Sequence, residues 1–229
     1  QDAKPPLLPR LPILYIQHHH AHAAACMAEH QLTGSCLCLV FDGTGYGDDG
    51  SVWGGEFLIA DYLDYRRVGH LLPVSMPGGD LAVRYPWRMA LSYLFHQFKE
   101  ETLAQSSRFL PFIPQKEQIA VLEILASDTS CPRTSSVGRL FDALAALLGL
   151  CTEAGYEGEP AMLLEAQADE KEKGDYPFFL KKIKTETEQD RICPEILLDG
   201  PALLLEACSD YRKGSKLSTA AARFHNTLA

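Results

Sequence analysis

Apolar and polar residues alternate with two different periods along this chain, one strand-like and one helical. Pro12 to Gln17 (PILYIQ) is short, β-branched and aromatic, and predicts a buried strand. Ala21 to His30 is rich in Ala, Met and Glu and predicts a helix. Ser35 to Phe41 (SCLCLVF) predicts a second buried strand, and Val52 to Tyr62 and Tyr65 to Val74 two more. Glycine and aspartate punctuate the turns between them, so these three strands read as an antiparallel meander. From Asp80 the period becomes helical. Trp87, Leu91, Leu94, Phe95 and Phe98 share one face of a helix over Trp87 to Phe98, and Glu117 to Ala126 is a shorter one. Ser135-Ser136 is placed to cap a helix that runs through Leu148 and stops at Gly149. Pro160 to Ala168 is another helix. Asp169 to Arg191 is charged and reads as a solvated connector, with Tyr176 to Leu180 as an edge strand. Pro201 to Tyr211 and Leu217 to Leu228 are two late helices. No internal repeat is present.

Composition narrows the class. The chain has 229 residues, 46% hydrophobic and 22% charged, as in an ordinary globular protein able to bury a sizeable core. The net charge of -9 and the lack of a basic run argue against a dedicated nucleic-acid surface. They do not exclude an anionic ligand, since helix N-termini and glycine-rich loops bind phosphate without net positive charge. The seven cysteines are scattered and odd in number, which fits a reducing cytoplasm better than a disulfide framework. No apolar stretch reaches membrane-spanning length. The Pro-rich start reads as a linker remnant, and the last helix stops without a cap, as a truncation would.

The densest chemistry is His18-His19-His20-Ala21-His22. His18 and His22 are four apart, so on a helix they share one face, the spacing with which paired histidines chelate a divalent metal. His19 and His20 point elsewhere and suit substrate contact or support of a ligand. The same residues also suit a polar helix start with solvated imidazoles. Two histidines do not complete a site, and a third ligand, usually a carboxylate, is not identified by spacing.

Asp42-Gly43-Thr44-Gly45-Tyr46-Gly47-Asp48-Asp49-Gly50 follows a strand and precedes another. Its glycines let backbone N–H groups approach a phosphate, and Asp42 at a strand end can orient a magnesium-bound water or hold the reacting group. No helix follows the glycines and no Gly-Lys-Ser/Thr ending is present, which excludes the dinucleotide fingerprint and the Walker loop. A wide hairpin turn explains the glycines equally well, and Asp48-Asp49-Gly50 reads as the turn itself. Farther on, the helix starting at Ser135-Ser136 carries Gly138, Arg139 and Asp142. Its N-terminus could receive an anion, with Arg139 as a clamp, or be plainly amphipathic with Phe141, Leu144 and Leu148 inward. Tyr156-Glu157-Gly158-Glu159 is a polar turn whose glutamates cap a helix or contact ribose. Cys36 and Cys38 share a strand face as packing residues, and His70, His96 and His225 read as structural or surface.

Taken together the motifs resemble one family. QHHHAHAAACMAEH, FDGTGYGDDGSVWGGEF, PGGD, PWRMALSYL, TSSVGRLFDALAALLGL, YEGEPAM and ARFHNTLA occur in this order in the HypF carbamoyltransferases of hydrogenase maturation. The likeness runs from Gln17 to the end of the chain, the charged connector apart. It implies an α/β fold of the actin/Hsp70/sugar-kinase (ribonuclease H-like) kind, with helical insertions and truncated lobes. The division it suggests is a linker remnant at 1–12 and a first α/β lobe at 13–80. A helical insertion with the nucleotide cleft follows at 81–200, and truncated second-lobe helices at 201–229. It implies that His18 and His22 bind a divalent metal, iron or zinc, and that His20 and Asp42 are catalytic. Asp42, Gly43, Thr44, Gly45 and Tyr46 would face phosphate and carbamoyl. Gly138, Arg139, Asp142, Glu157 and Gly158 would line the nucleotide cleft. The implied reaction passes a carbamoyl group from carbamoyl-adenylate, made from ATP elsewhere in the family's proteins, to the C-terminal cysteine of a HypE-type partner. The family's Tyr-Glu-Gly-Gln-Ala reads Tyr156-Glu157-Gly158-Glu159-Pro160 here. Its late Ser-Gly-Gly segment, and the aspartate expected to complete the metal site, would lie beyond Ala229. A carbamoyltransferase acting on small-molecule hydroxyls and a non-catalytic nucleotide-binding module are the competing readings.

Overall fold

The computed structural model describes residues 13–127, 131–186 and 192–229. The linker expected at 1–12 and the end of the charged connector lie outside them. In chain order the elements are α1 (His18–Glu29), β1 (Cys36–Tyr46), β2 (Val52–Ala60), β3 (Tyr65–Leu71), β4 (Val74–Ser75), α2 (Asp80–Arg84) and α3 (Pro86–Phe98). A short 3₁₀ turn (Lys99–Glu101) leads to α4 (Thr102–Phe109), α5 (Gln115–Ser127), β5 (Arg133–Thr134), α6 (Val137–Leu147) and α7 (Glu159–Gln167). The chain ends with β6 (Leu180–Glu186), β7 (Ile192–Leu198), α8 (Gly200–Arg212) and α9 (Leu217–Leu228). The fold is mixed α/β.

One seven-stranded sheet organises it, in the order β4-β5-β2-β3-β7-β6, with β1 also paired to β2. β1, β2 and β3 form the expected antiparallel meander. β7 adds in parallel to β3, and β6 returns antiparallel at the edge. The short connections explain the first three strands: turns of a few residues can only join antiparallel neighbours. The parallel β3–β7 pair needs the long helical crossover that α2 to α7 supply.

Helices α3, α6, α8 and α9 hold the main core, in which Leu91, Leu94, Leu140, Leu144, Leu203 and Phe224 are buried. Truncating one of these, for example Phe224 to alanine, removes contacts worth about 3–5 kcal/mol. A second, smaller cluster of Ala23, Val40, Leu58 and Ala60 lies where α1 packs on β1 and β2. This satellite matters more for the site. It buries His19, Ala23 and Met27 along one stripe of α1, so His18 and His22, one position before His19 and Ala23, emerge at the rim of that stripe.

Two expectations fail. Ile13, Leu14, Tyr15 and Ile16 form no strand and are exposed; a strand requires a paired neighbour, and none among the described residues lies beside this run. The edge strand expected at Tyr176 to Leu180 begins only at Leu180, and Tyr176 is instead buried with its hydroxyl on Asp210 at 2.8 Å. β7 and α4, not expected from the sequence, pack on elements next to them in the chain, β7 on β6 and α4 on α3 and α5; β7 also adds to the distant β3.

Candidate functional site

The site forms where three elements end together. β1 does not stop at Phe41 as its hydrophobic run suggests. It resumes at Gly45 after a register break, Phe41 pairing Gly55 and Gly45 pairing Trp53. Asp42, Gly43 and Thr44 therefore bulge out of the ladder opposite Gly54. A Cβ on Gly54 would lie 2.3 Å from the Asp42 carbonyl oxygen, so only glycine admits this bulge. The turn proper is Gly47 to Gly50, as Asp48-Asp49-Gly50 implied.

The bulge meets α1 on one side. His18 Nε2 lies 2.8 Å from Asp42 Oδ2, His22 Nε2 lies 3.1 Å from His18 Nε2, and His22 Nε2 lies 3.9 Å from Asp42 Oδ2. All three donors fall within 4.8 Å of one another. Burial alone would raise the Asp42 pKa, but the Gly43 N–H at 2.6 Å and the His18 imidazole outweigh it and hold the carboxylate below its usual range. Gln17 fixes the helix start. Its Oε1 accepts the His20 N–H at 2.9 Å while its Nε2 donates to the Tyr46 carbonyl at 3.2 Å, tying α1 to the far end of the bulge.

The other two histidines lie away from this trio. His19 is fully buried against Trp53, and burial, foremost, lowers its pKa. A Cβ on Gly45 would stand 2.4 Å from its ring, so Gly45 is where the loop backbone slides over His19. His20, expected to be catalytic, turns away: its Nε2 meets the Asp61 carbonyl at 2.7 Å and its ring lies beside Tyr65. It does not join His18, His22 and Asp42.

On its other side the bulge docks on α6. The Ser136 hydroxyl reaches the carbonyls of Asp42 and Gly43 at 2.9 and 2.8 Å and accepts the Arg139 N–H as the helix cap. A Cβ on Gly138 would lie 2.7 Å from Gly43 Cα. Gly138→Ala therefore forces backbone away from backbone. It is expected to cost about 1–3 kcal/mol, read by urea denaturation.

Behind the bulge, Arg139 and Asp142 are both buried, with Arg139 Nε 2.9 Å from Asp142 Oδ2. The contact is off-axis, and Arg139 Nε and Nη1 make no hydrogen bond. A side chain on Gly43 would touch Glu157 Oε1 at 3.4 Å and Arg139 Nη2 at 3.9 Å, so the bulge lies between these two. Burial, against the pull of Arg139, pushes the Asp142 pKa from an ordinary 3.8 up to about 7. A raised carboxylate binds its proton on folding. Its contribution to stability is full below about pH 4 and disappears as pH rises through about 7. Asp142→Asn is expected to flatten that decline, measured as urea midpoints between about pH 4 and 8.

Thr44 and Glu157 face an open cleft of about 910 Å³ that Asp80, Arg84, Glu153 and Tyr156 also line. Tyr46 is exposed. Gly158 sits at φ 84 as the residue before α7. Glu159 accepts the Gly155 N–H at 2.6 Å and closes the same turn.

One buried group escaped sequence reasoning. Glu56, in mid-β2, is fully buried. Its Oε1 accepts the N–H groups of Gly54 and Gly55 at 3.1 and 3.2 Å and the Ser135 hydroxyl. Its Oε2 pairs with Arg67 Nη2 at 2.6 Å, and Arg67 lies over the Trp53 ring at 4.1 Å. The network thus fixes Gly54 and Ser135, the immediate neighbours of the bulge and its dock.

The sequence matches a known domain type. Residues 38–229 fit the family model described as carbamoyltransferase, Kae1-like domain, second subdomain, and residues 3–29 that of the HypF Kae1-like domain. Sequence and fold thus define a Kae1-like domain of the carbamoyltransferase class. The chain is 35% identical to carbamoyltransferase HypF of Synechocystis sp., over 95% of its own length and 29% of that protein. It is 42% identical to carbamoyltransferase HypF of Rhodobacter capsulatus, over 69% of its length and 21% of that protein. The crystal structure of full-length HypF in its phosphate- and nucleotide-bound form superposes with a TM-score of 0.83 at 35% identity, covering 96% of this chain and 27% of that one. HypF of T. kodakarensis superposes at 0.74 and 32% identity, covering 92% and 27%. This chain belongs to the HypF carbamoyltransferase family, and it spans under a third of each of these relatives. Among the described residues no helix is long and apolar enough to cross a membrane.

Proposed function

We propose that this chain is the core of a carbamoyltransferase that binds carbamoyl-adenylate and one divalent cation, iron or zinc. It passes the carbamoyl group to the C-terminal cysteine of a HypE-type partner, toward the cyanide ligand of a nickel–iron hydrogenase. The observation that carries this reading is the convergence of His18, His22 and Asp42 at a glycine bulge. A tetrahedral ion with ligands at about 2.1 Å separates its donors by about 3.4 Å. The separations of 2.8, 3.1 and 3.9 Å bracket that value. Two imidazoles and a carboxylate suit iron or zinc rather than magnesium. Asp42 thereby supplies, within the chain, a carboxylate donor that the family resemblance placed beyond Ala229.

When bound, the cation supplies Lewis-acid polarisation of the carbamoyl carbonyl. The chain's own residues do the positioning. Gly43 and Gly138 allow the bulge and the α6 N-terminus to approach closely, and the Arg139 charge behind them favours a phosphate there. Thr44 and Glu157 stand at the mouth of the cleft that receives the nucleoside. The partner's thiolate attacks the carbamoyl carbon; the C–S bond forms, the C–O bond to the phosphate breaks, and AMP leaves with the electron pair. Holding donor and acceptor together makes this a local, oriented event.

The test uses the full-length protein carrying His18→Ala or His22→Ala. Both variants are expected to keep their circular dichroism, lose bound metal and stop carbamoylating the partner cysteine, read by mass spectrometry. Normal transfer by either would overturn the metal assignment. Carbamoylation of hydroxylated small molecules in place of the thiol would favour the O-carbamoyltransferase reading.

A further inference from the structure

A second cavity, of about 310 Å³, opens between the C-terminal turn of α3, the end of α5 and the β4–β5 pair. Its floor is apolar: Val74, Phe95 and Leu125. Its rim carries His96, Lys99 and Arg133, and no carboxylate lines it among the described residues. In a chain of net charge -9, three basic side chains around one apolar hollow are a local inversion of the surface.

Among the described residues, no carboxylate lines the hollow to neutralise these side chains. The nearby Asp199 is committed elsewhere, to Lys181 Nζ at 2.7 Å and to the Ala202 N–H at 3.1 Å as the cap of α8. Arg133 gives one N–H to the Pro73 carbonyl at 2.6 Å, and the rest of its guanidinium fork carries further donors. Burial lowers the His96 pKa, and Lys99, then Lys181 and Arg133, lower it further, with Asp199 alone opposing. The hollow therefore holds positive potential that an anion would relieve.

Lys99 adds an independent observation. It adopts φ 50, ψ -118 as the residue after α3, a region that side-chain-bearing residues avoid. Where the chain takes the same conformation before α2 (φ 58, ψ -118) it uses glycine, at Gly79. At residue 99 a lysine bears the strain, with its ammonium 5.6 Å from the Phe95 ring centre, on the cavity wall.

The geometry points to a binding site for a small organic anion, a carboxylate or phosphate on an apolar body. The anionic end would meet Lys99 and Arg133, and the apolar end would rest on Val74, Phe95 and Leu125. The volume falls at the low end of small-molecule pockets, roughly 300–1,000 Å³. The site also has a route to the metal-ligand cluster. Arg133 begins β5, and the residues after it are Thr134, which accepts the Ser136 N–H at 3.0 Å, then Ser135 and Ser136, the seat of the Asp42 bulge. This assignment does not rest on the carbamoyltransferase reading.

Calorimetric titration of the chain with phenyl phosphate, benzoate and neutral benzyl alcohol tests it. At least one anion is expected to saturate a single site while benzyl alcohol does not bind; which anion binds tells phosphate from carboxylate recognition. Lys99→Gln is expected to weaken that anion about 10-fold, the loss of one charge-assisted hydrogen bond. Adding Arg133→Gln should remove detectable binding. Lys99→Gly should lose the same affinity yet raise Tm, since glycine tolerates the backbone. Asp42→Asn should leave binding unchanged. The assignment falls if neither anion saturates, if benzyl alcohol binds as well, or if the double variant binds like the parent. It also falls if Asp42→Asn abolishes binding, which would place the ligand at the site already described.

Discussion

Asp42→Asn is expected to abolish zinc-dependent stabilisation of this protein while leaving the metal-free fold intact. Asparagine keeps the shape of the side chain and can still accept the Gly43 N–H. It removes the one anionic donor from the trio with His18 and His22. Loss of a supporting group around a metal costs 10–100-fold in affinity, so loss of a direct donor should cost at least about 100-fold. Without metal, the partly exposed His18–Asp42 contact contributes only about 0–1 kcal/mol. The parent at a free zinc concentration of about 100 Kd should gain about 2.7 kcal/mol, read as a higher Tm, and the variant almost none. A zinc-induced Tm shift that survives Asp42→Asn would remove Asp42 from the ligand set.

Glu56→Gln should give the largest loss of stability from a single conservative change. The carboxylate is fully buried and each oxygen is engaged, Oε1 by two backbone N–H groups and a hydroxyl, Oε2 by Arg67. An amide presents an NH₂ to one set of donors whichever way it is turned. It also leaves the Arg67 charge without its buried partner. Breaking a buried ion pair from one side costs about 3–5 kcal/mol. The urea midpoint should fall with the slope unchanged. Arg67→Met combined with Glu56→Gln should cost less than the two single changes together, because the charge left with only its Asp49 contact at 3.1 Å is gone. Additive losses would show that Glu56 acts through its glycine and serine contacts alone.

The sequence made some of this architecture legible and hid the rest, for physical reasons. The i, i+4 pairing of His18 and His22 is a local property of a helix, and the structure keeps both on one rim of α1. The Ser136 cap, the stop at Gly149 and the antiparallel meander are likewise set by neighbours a few residues away. Asp42 was visible as a loop residue but not as the donor completing the trio, because its distance from α1 depends on how the sheet seats that helix. His20 looked equivalent to its neighbours. Only the fold reveals that the 3.6-residue period turns it toward Asp61. Glu56 carried no signal, since its partners Arg67 and Ser135 lie 11 and 79 residues along the chain. Ile13 to Ile16 misled in the opposite direction: an apolar run specifies a strand only where another strand is available to pair with it.

The Ser136 hydroxyl has a further consequence. One oxygen starts α6 by accepting the Arg139 N–H and holds the Asp42 and Gly43 carbonyls. The bulge cannot swing open without uncapping the helix, and the first turn of the helix cannot fray without freeing the bulge. These segments, some ninety residues apart in sequence, therefore form one cooperative unit. In native-state amide exchange, the Gly43 and Arg139 protons should share a common opening free energy, and Ser136→Ala should split it into two.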